Sequence, residues 1–104
     1  MVARELLTEI RDRLAVAYGP RFRGAVLYGS EARGEAGPDS DIDILALLEG
    51  PIQLGEDIHT ATVATFPLIL QCGRVIDVAP TDVVDYRKGI MSLYREALSE
   101  GIPL

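Results

Sequence analysis

Asp41 and Asp43 are separated by one residue in the run Ser40-Asp41-Ile42-Asp43-Ile44. On an extended strand, side chains two apart share a face, so both carboxylates project together while Ile42 and Ile44 project the other way. Two carboxylates held side by side repel each other unless a cation sits between them, an arrangement costly as plain structure and natural as a metal site. With no His or Cys nearby, the hard oxygen donors suit magnesium or manganese. Upstream, the apolar run Ala25-Val26-Leu27-Tyr28 ends at Gly29-Ser30. A buried strand hands over in this way to a loop whose backbone can come close to a ligand. The loop Gly29-Ser30-Glu31-Ala32-Arg33-Gly34 is therefore a candidate phosphate cradle. Gly29 permits the approach, and Ser30 offers its hydroxyl and nearby backbone N–H groups. Such a loop and such a strand make chemical sense together, the loop holding a triphosphate that the metals bridge to an attacking oxygen.

The elements that must position these residues are legible in outline. Leu6, Ile10, Leu14 and Tyr18 recur every four residues with Leu7 beside them, which predicts an amphipathic helix from Val2 to Tyr18. Glu9 and Arg13 are spaced on it for a surface ion pair. Gly19-Pro20 stops that helix, and Arg21 to Gly24 connects it to a first strand at Ala25 to Tyr28. One helical turn at Glu31 to Glu35 and a turn at Gly37-Pro38-Asp39 lead into a second strand, Asp41 to Leu48, ended by Gly50-Pro51. Glu56 to Thr65 reads as a weak helix with Ile58, Ala61, Thr62 and Thr65 on one side, terminated by Pro67. Leu68 to Gln71 fits either a helix end or a strand. A final strand is expected at Arg74 to Ala79. A turn and N-cap at Pro80-Thr81-Asp82 precede a last helix from Val83 to Ser99, which Gly101 and Pro103 end. The order describes one α+β domain over residues 1–104, with helices packed on one face of a small mixed sheet. By alternation, if Ile76 and Val78 meet the helices, Asp77 joins Asp41 and Asp43 on the open face.

Gly-Ser-x-Ala-Arg-Gly followed by Ser-Asp-Ile-Asp resembles the signature of the minimal nucleotidyltransferases, the smallest members of the DNA polymerase beta superfamily, over nearly the whole chain. The resemblance implies a polymerase beta-like nucleotidyltransferase fold. It implies transfer of a nucleoside monophosphate, AMP from ATP or its counterpart from another nucleoside triphosphate, to a hydroxyl with two-metal chemistry. Asp41, Asp43 and Asp77 match the catalytic metal ligands, with Asp77 able to serve as base. Gly29 and Ser30 fall where the triphosphate is held. Arg33 either reaches phosphate oxygens or pairs with an acid to brace the loop. Ser40 either helps position the nucleotide or caps the turn. Larger relatives carry a further acceptor-binding domain, so here the acceptor surface is expected from another chain. In the family that chain is commonly a small helical HEPN-type toxin, which the nucleotidyltransferase neutralises as antitoxin. Two alternatives stand beside this one: a module that masks a partner by contact alone, and a transferase for small molecules such as aminoglycosides.

Composition narrows the classes further. Hydrophobic residues at 48% and charged residues at 25% describe an ordinary globular chain. A net charge of -6 argues against a general grip on nucleic acid, for which a basic face supplies most of the affinity. The single Cys72 excludes an internal disulfide, and Met1 to Glu5 carry no signal-peptide pattern, so a reducing cytoplasm is the expected location. Asp39 reads as a turn residue, His59 as a surface or packed histidine, and Cys72 as a small buried hydrophobe.

Overall fold

The structure, a computed structural model, describes residues 3–104; the expected helix start at Val2 lies outside them. α1 (Arg4–Tyr18) buries Ile10, Leu14 and Tyr18, the stripe that its four-residue spacing predicts. Its Glu9 and Arg13 form an ion pair at 3.8 Å. After the tight turn Gly19–Arg21 come β1 (Phe22–Tyr28), the single turn α2 (Gly29–Ala32) and β2 (Ile42–Leu48). The 19-residue α3 (Leu54–Cys72) leads to β3 (Ile76–Asp82), then α4 (Val83–Lys88), α5 (Ser92–Glu100) and β4 (Ile102–Pro103).

The strands form one mixed sheet in the order β3-β2-β1-β4. β1 runs antiparallel to β2 and to β4, and β2 runs parallel to β3. Alternation divides the sheet residues between two faces. Ala25, Leu27, Ile42, Ile44, Ala46, Leu48 and Ile76 meet α1 and α3 in the larger apolar cluster. Val26, Leu45 and Leu47 point the other way and gather Val83, Tyr86, Leu93, Tyr94 and Ala97 from α4 and α5. The α+β class and the small mixed sheet are as expected, but the helices are not confined to one face. α1 and α3 form the main layer, and α4 and α5 cover part of the other face, because Val26, Leu45 and Leu47 make that face apolar too.

Several boundaries differ from expectation for identifiable reasons. Pro67 lies inside α3 and does not end it, and 68–71 are helical. Pro67 and Val63, whose carbonyl the ring leaves without a donor, are both exposed, so water can take that carbonyl while Ala61, Thr65 and Leu68 hold the helix to the sheet. The buried face of α3 is also rotated from the expected one: Ile58 and Thr62 are exposed and Asp57 is buried. β3 begins two residues later than Arg74 and runs through Pro80 to Asp82, which an edge strand allows because its open side needs no N–H. Asp82 does cap α4, accepting from the Val84 and Asp85 N–H groups at 2.8 and 3.3 Å. The expected last helix is broken in two by the left-handed Gly89 (φ +62°), and the residues past it add the short strand β4.

Asp57 is charged and buried because its site is fully partnered. Its two oxygens take Arg21 Nη1 and Nη2 at 2.8 and 3.0 Å, and one also takes the Gln53 N–H at 2.9 Å. Tyr18 donates its hydroxyl to the Asp57 carbonyl, joining α1 to the same point. The Arg21 contact, with help from Gln53, holds the Asp57 carboxyl below its usual range. A folded-state pKa below the unfolded value gives stability that is complete above about pH 4 and disappears as pH falls through the folded pKa. Asp57→Ala should cost about 2 kcal/mol, or roughly 10 °C in Tm for a domain of this size. Thermal melts between neutral and acid pH should show the variant's deficit shrinking in acid, where the parent loses the same contact.

Candidate functional site

The ladder of the sheet brings the three predicted acids together. β1 ends at Tyr28 opposite Asp43, and Asp43 stands in parallel register with Asp77 on its other side. Asp41, one residue before β2, completes a cluster in which one carboxylate oxygen from each residue lies within 4.8 Å of the others. Asp43 is half-buried, while Asp41 and Asp77 are exposed. Burial pushes the Asp43 carboxyl up, and the charges of Asp77 and Asp41 push it further. The Tyr28 hydroxyl, beside them, is pushed up to about 12 by burial and by Asp43 and Asp77. Among the described residues, the ion pairs involve other acids, and none neutralises this cluster. Three uncompensated carboxylates with hard oxygen donors and an open side fit a divalent cation such as magnesium or manganese.

Gly29 turns the chain from β1 into α2 directly against this cluster. Its φ is +72°, and a Cβ built on it would lie 2.7 Å from Asp43 Oδ2. The backbone angle favours glycine, and any larger residue would also have to displace the tip of the Asp43 carboxylate. Ser30 follows it, with a hydroxyl that makes no hydrogen bond among the described residues. Ser40 Oγ accepts the Gly37 N–H at 3.0 Å and closes the Gly37–Ser40 turn, in which Asp39 also lies. The turn-capping arrangement of Ser40 is thus the one formed. Arg33 likewise adopts the bracing arrangement: its guanidinium reaches Glu35 at 2.8 Å and Glu96 at 3.1 Å, with Glu100 at 3.8 Å. It ties the loop to α5.

His59 is exposed on α3, and Cys72 packs at the edge of the main core. Two residues near the cluster carried no signal in the sequence. Glu31 and Arg74 form a buried ion pair at 2.6 Å, from elements more than forty residues apart. Nothing periodic links such positions. Tyr28, by contrast, could have been placed by alternation from Val26, since its pairing with Asp43 puts it on the same face.

A family profile described as nucleotidyltransferase domain matches residues 4–91. No curated protein matches the chain in sequence. Among solved structures, a toxin–antitoxin with AMP-PNP is similar over 92% of this chain and 69% of its own, at 19% identity and a TM-score of 0.65. A mutant of the toxin–antitoxin MntA–HpeT is similar over 100% of this chain and 72% of its own, at 16% identity and a TM-score of 0.61. A protein assigned as a minimal nucleotidyltransferase is similar over 100% of this chain and 97% of its own, at 25% identity and a TM-score of 0.59. Among the described residues, no helix is long and apolar enough to cross a membrane.

Proposed function

Because the chain belongs to the nucleotidyltransferase domain family, we propose that it moves a nucleoside monophosphate, AMP from ATP in the first instance, onto a hydroxyl of a partner protein. The observation that carries this reading is the cluster of Asp41, Asp43 and Asp77, which no ion pair neutralises among the described residues and which is set against the Gly29-Ser30 turn. The AMP-PNP in one structural relative supports a nucleoside triphosphate as donor. Divalent cations held by the three carboxylates would supply Lewis-acid stabilisation of charge on the phosphate oxygens and on the leaving group.

The chain's own residues have separable tasks. Gly29 and the free Ser30 hydroxyl would hold the β and γ phosphates, with Arg33 bracing that turn and Ser40 closing the one before β2. The acceptor oxygen forms a bond to the α phosphorus as the bond from that phosphorus to the bridging oxygen breaks, and pyrophosphate leaves. The acceptor's proton goes to Asp77, an exposed carboxylate at the edge strand, in its role as base.

An antitoxin role opposite a helical HEPN-type toxin is the biological form of this reading. It is supported by the two toxin–antitoxin relatives and by the outer side of α3, where Val63, Phe66 and Leu70 are exposed without charge between them and the helix end. Intact-mass analysis of whatever protein co-purifies with this chain from its native host, before and after incubation with ATP and magnesium, tests it. A gain of one nucleoside monophosphate on a partner residue is expected. A tight, inhibitory complex with no mass gain would favour masking by contact.

A further inference from the structure

The segments that carry the proposed site come from three parts of the chain: α2 with Gly29 and Ser30, the entry to β2 with Asp41, and the entry to β3 with Asp77. Arg74 contacts both of the other segments from the third. Its Nε donates to the Ser40 carbonyl at 2.9 Å, and its Nη2 lies 2.6 Å from Glu31 Oε1. Ser40 adjoins Asp41 and Glu31 adjoins Ser30, so each contact lands one residue from the site. Both side chains are withdrawn from water, Glu31 to 3% exposure and Arg74 to 12%.

The acids have other support. Asp43 and Asp77 are fixed by the β2–β3 ladder, and Asp41 is tied to it one residue away by the Ile42 N–H to Val75 carbonyl bond, 2.8 Å, which does not involve the Arg74 side chain. α2 has less. The β1–β2 register ends at Tyr28, and the Arg33 contacts lead away to α5. Burying an ion pair carries a desolvation cost that apolar side chains of equal volume avoid. Here the Nε–H is the directional contact, toward the Ser40 carbonyl, while Nη2 and Glu31 Oε1 are held at close range by charge, both buried and neither making a hydrogen bond.

We propose that Arg74 is a positioning residue: anchored on Glu31 and on the Ser40 carbonyl, it sets the distance between the Gly29-Ser30 turn and the Asp41, Asp43 and Asp77 cluster. The proposal rests on the nucleotidyltransferase reading above. Its consequence is a split between ligands. A metal–nucleotide complex must engage turn and acids at once and so depends on the tether. A bare cation needs the acids alone.

Arg74→Lys keeps the charge and the stem but gives up the fork, so one ammonium must serve both partners. Glu31→Gln keeps the shape and an accepting oxygen without the charge, and carries the same test should the first variant fail to fold. Each is titrated with manganese alone, followed by electron paramagnetic resonance, and with a magnesium-bound non-hydrolysable ATP analogue, followed by calorimetry. Folded fractions come from thermal melts. In Arg74→Lys the analogue should bind about tenfold or more weakly, while manganese affinity stays within about twofold. Glu31→Gln should shift analogue binding in the same direction by less. Unchanged analogue affinity in both variants would overturn the proposal. So would equal losses of manganese and analogue, the mark of a merely structural tie. Failure of the parent protein to bind the analogue would instead overturn the nucleotidyltransferase reading, and the positioning role with it.

Discussion

Asp43→Asn is expected to lower metal-dependent nucleotidyl transfer by about 10³-fold or more while leaving the metal-free protein as stable as its parent, or more so. The two halves of that expectation share one cause. Asp43 is the central member of the cluster, opposite Tyr28 on one side and Asp77 on the other, so its charge is the hardest for any other residue to replace. Its carboxyl is pushed up by burial and by its neighbours. A folded-state pKa above the unfolded one means that the native protein binds more protons across that window, and stability falls as pH rises through it. At neutral pH a neutral amide of the same shape escapes that loss. Thermal melts in chelator should therefore show no deficit for the variant. Added magnesium should raise the Tm of the parent by mass action and leave the variant where it was. Asp41→Asn, at the exposed margin, should follow the same pattern in activity with a smaller effect on the metal-free melt. A variant that turns over normally would remove the cluster from the mechanism.

Gly29→Val should be the most damaging change outside the acids. The backbone angle of +72° strains any L side chain, at a cost of about 1–3 kcal/mol. The new Cβ would also collide with Asp43 Oδ2, so the turn or the carboxylate must move. A displacement on the order of 1 Å at reacting groups is enough for a loss of about 10²-fold in transfer. Gly34→Ala separates the two effects. Gly34 has nearly the same angle, φ +73°, but a Cβ there meets nothing within 4 Å. Strain alone, about 1 kcal/mol or somewhat more, should appear in its melt with activity largely kept. If Gly34→Ala loses transfer as severely as Gly29→Val, loop strain rather than contact with Asp43 is the operative cause.

The parts of this structure that were legible in the sequence are those governed by short periods. The four-residue spacing of Ile10, Leu14 and Tyr18 placed α1, and the alternation of Ile42 and Ile44 against Asp41 and Asp43 assigned faces to β2. The same alternation carried Asp77 to the side of the sheet where the other two acids lie, although the strand bearing it begins later and runs further than expected. What stayed hidden depends on partners far along the chain. Asp57 broke the apolar pattern of α3 because its charge is answered by Arg21, 36 residues earlier. Pro67 and Pro80 are strong breakers locally, yet one sits on the wet side of a packed helix and the other on an edge strand. Glycine at 89 divided the last helix, and the second short helix then returned along the sheet so that Ile102 and Pro103 could pair with β1. For Arg33 and Ser40 the sequence offered two arrangements each, and the bracing and capping ones are formed. The Glu31–Arg74 pair had no counterpart in any pattern, because an ion pair between a loop and a strand entry leaves no periodic trace.

The measurement that bears most directly on nucleotidyl transfer by the acidic cluster is a paired assay with α-labelled and γ-labelled ATP, using the protein together with its native partner and magnesium. Label from the α position should appear on protein, label from the γ position should leave as pyrophosphate, and both should cease with chelator and in Asp43→Asn. Protein labelled from the γ position, or α label transferred undiminished by Asp43→Asn, would contradict the account.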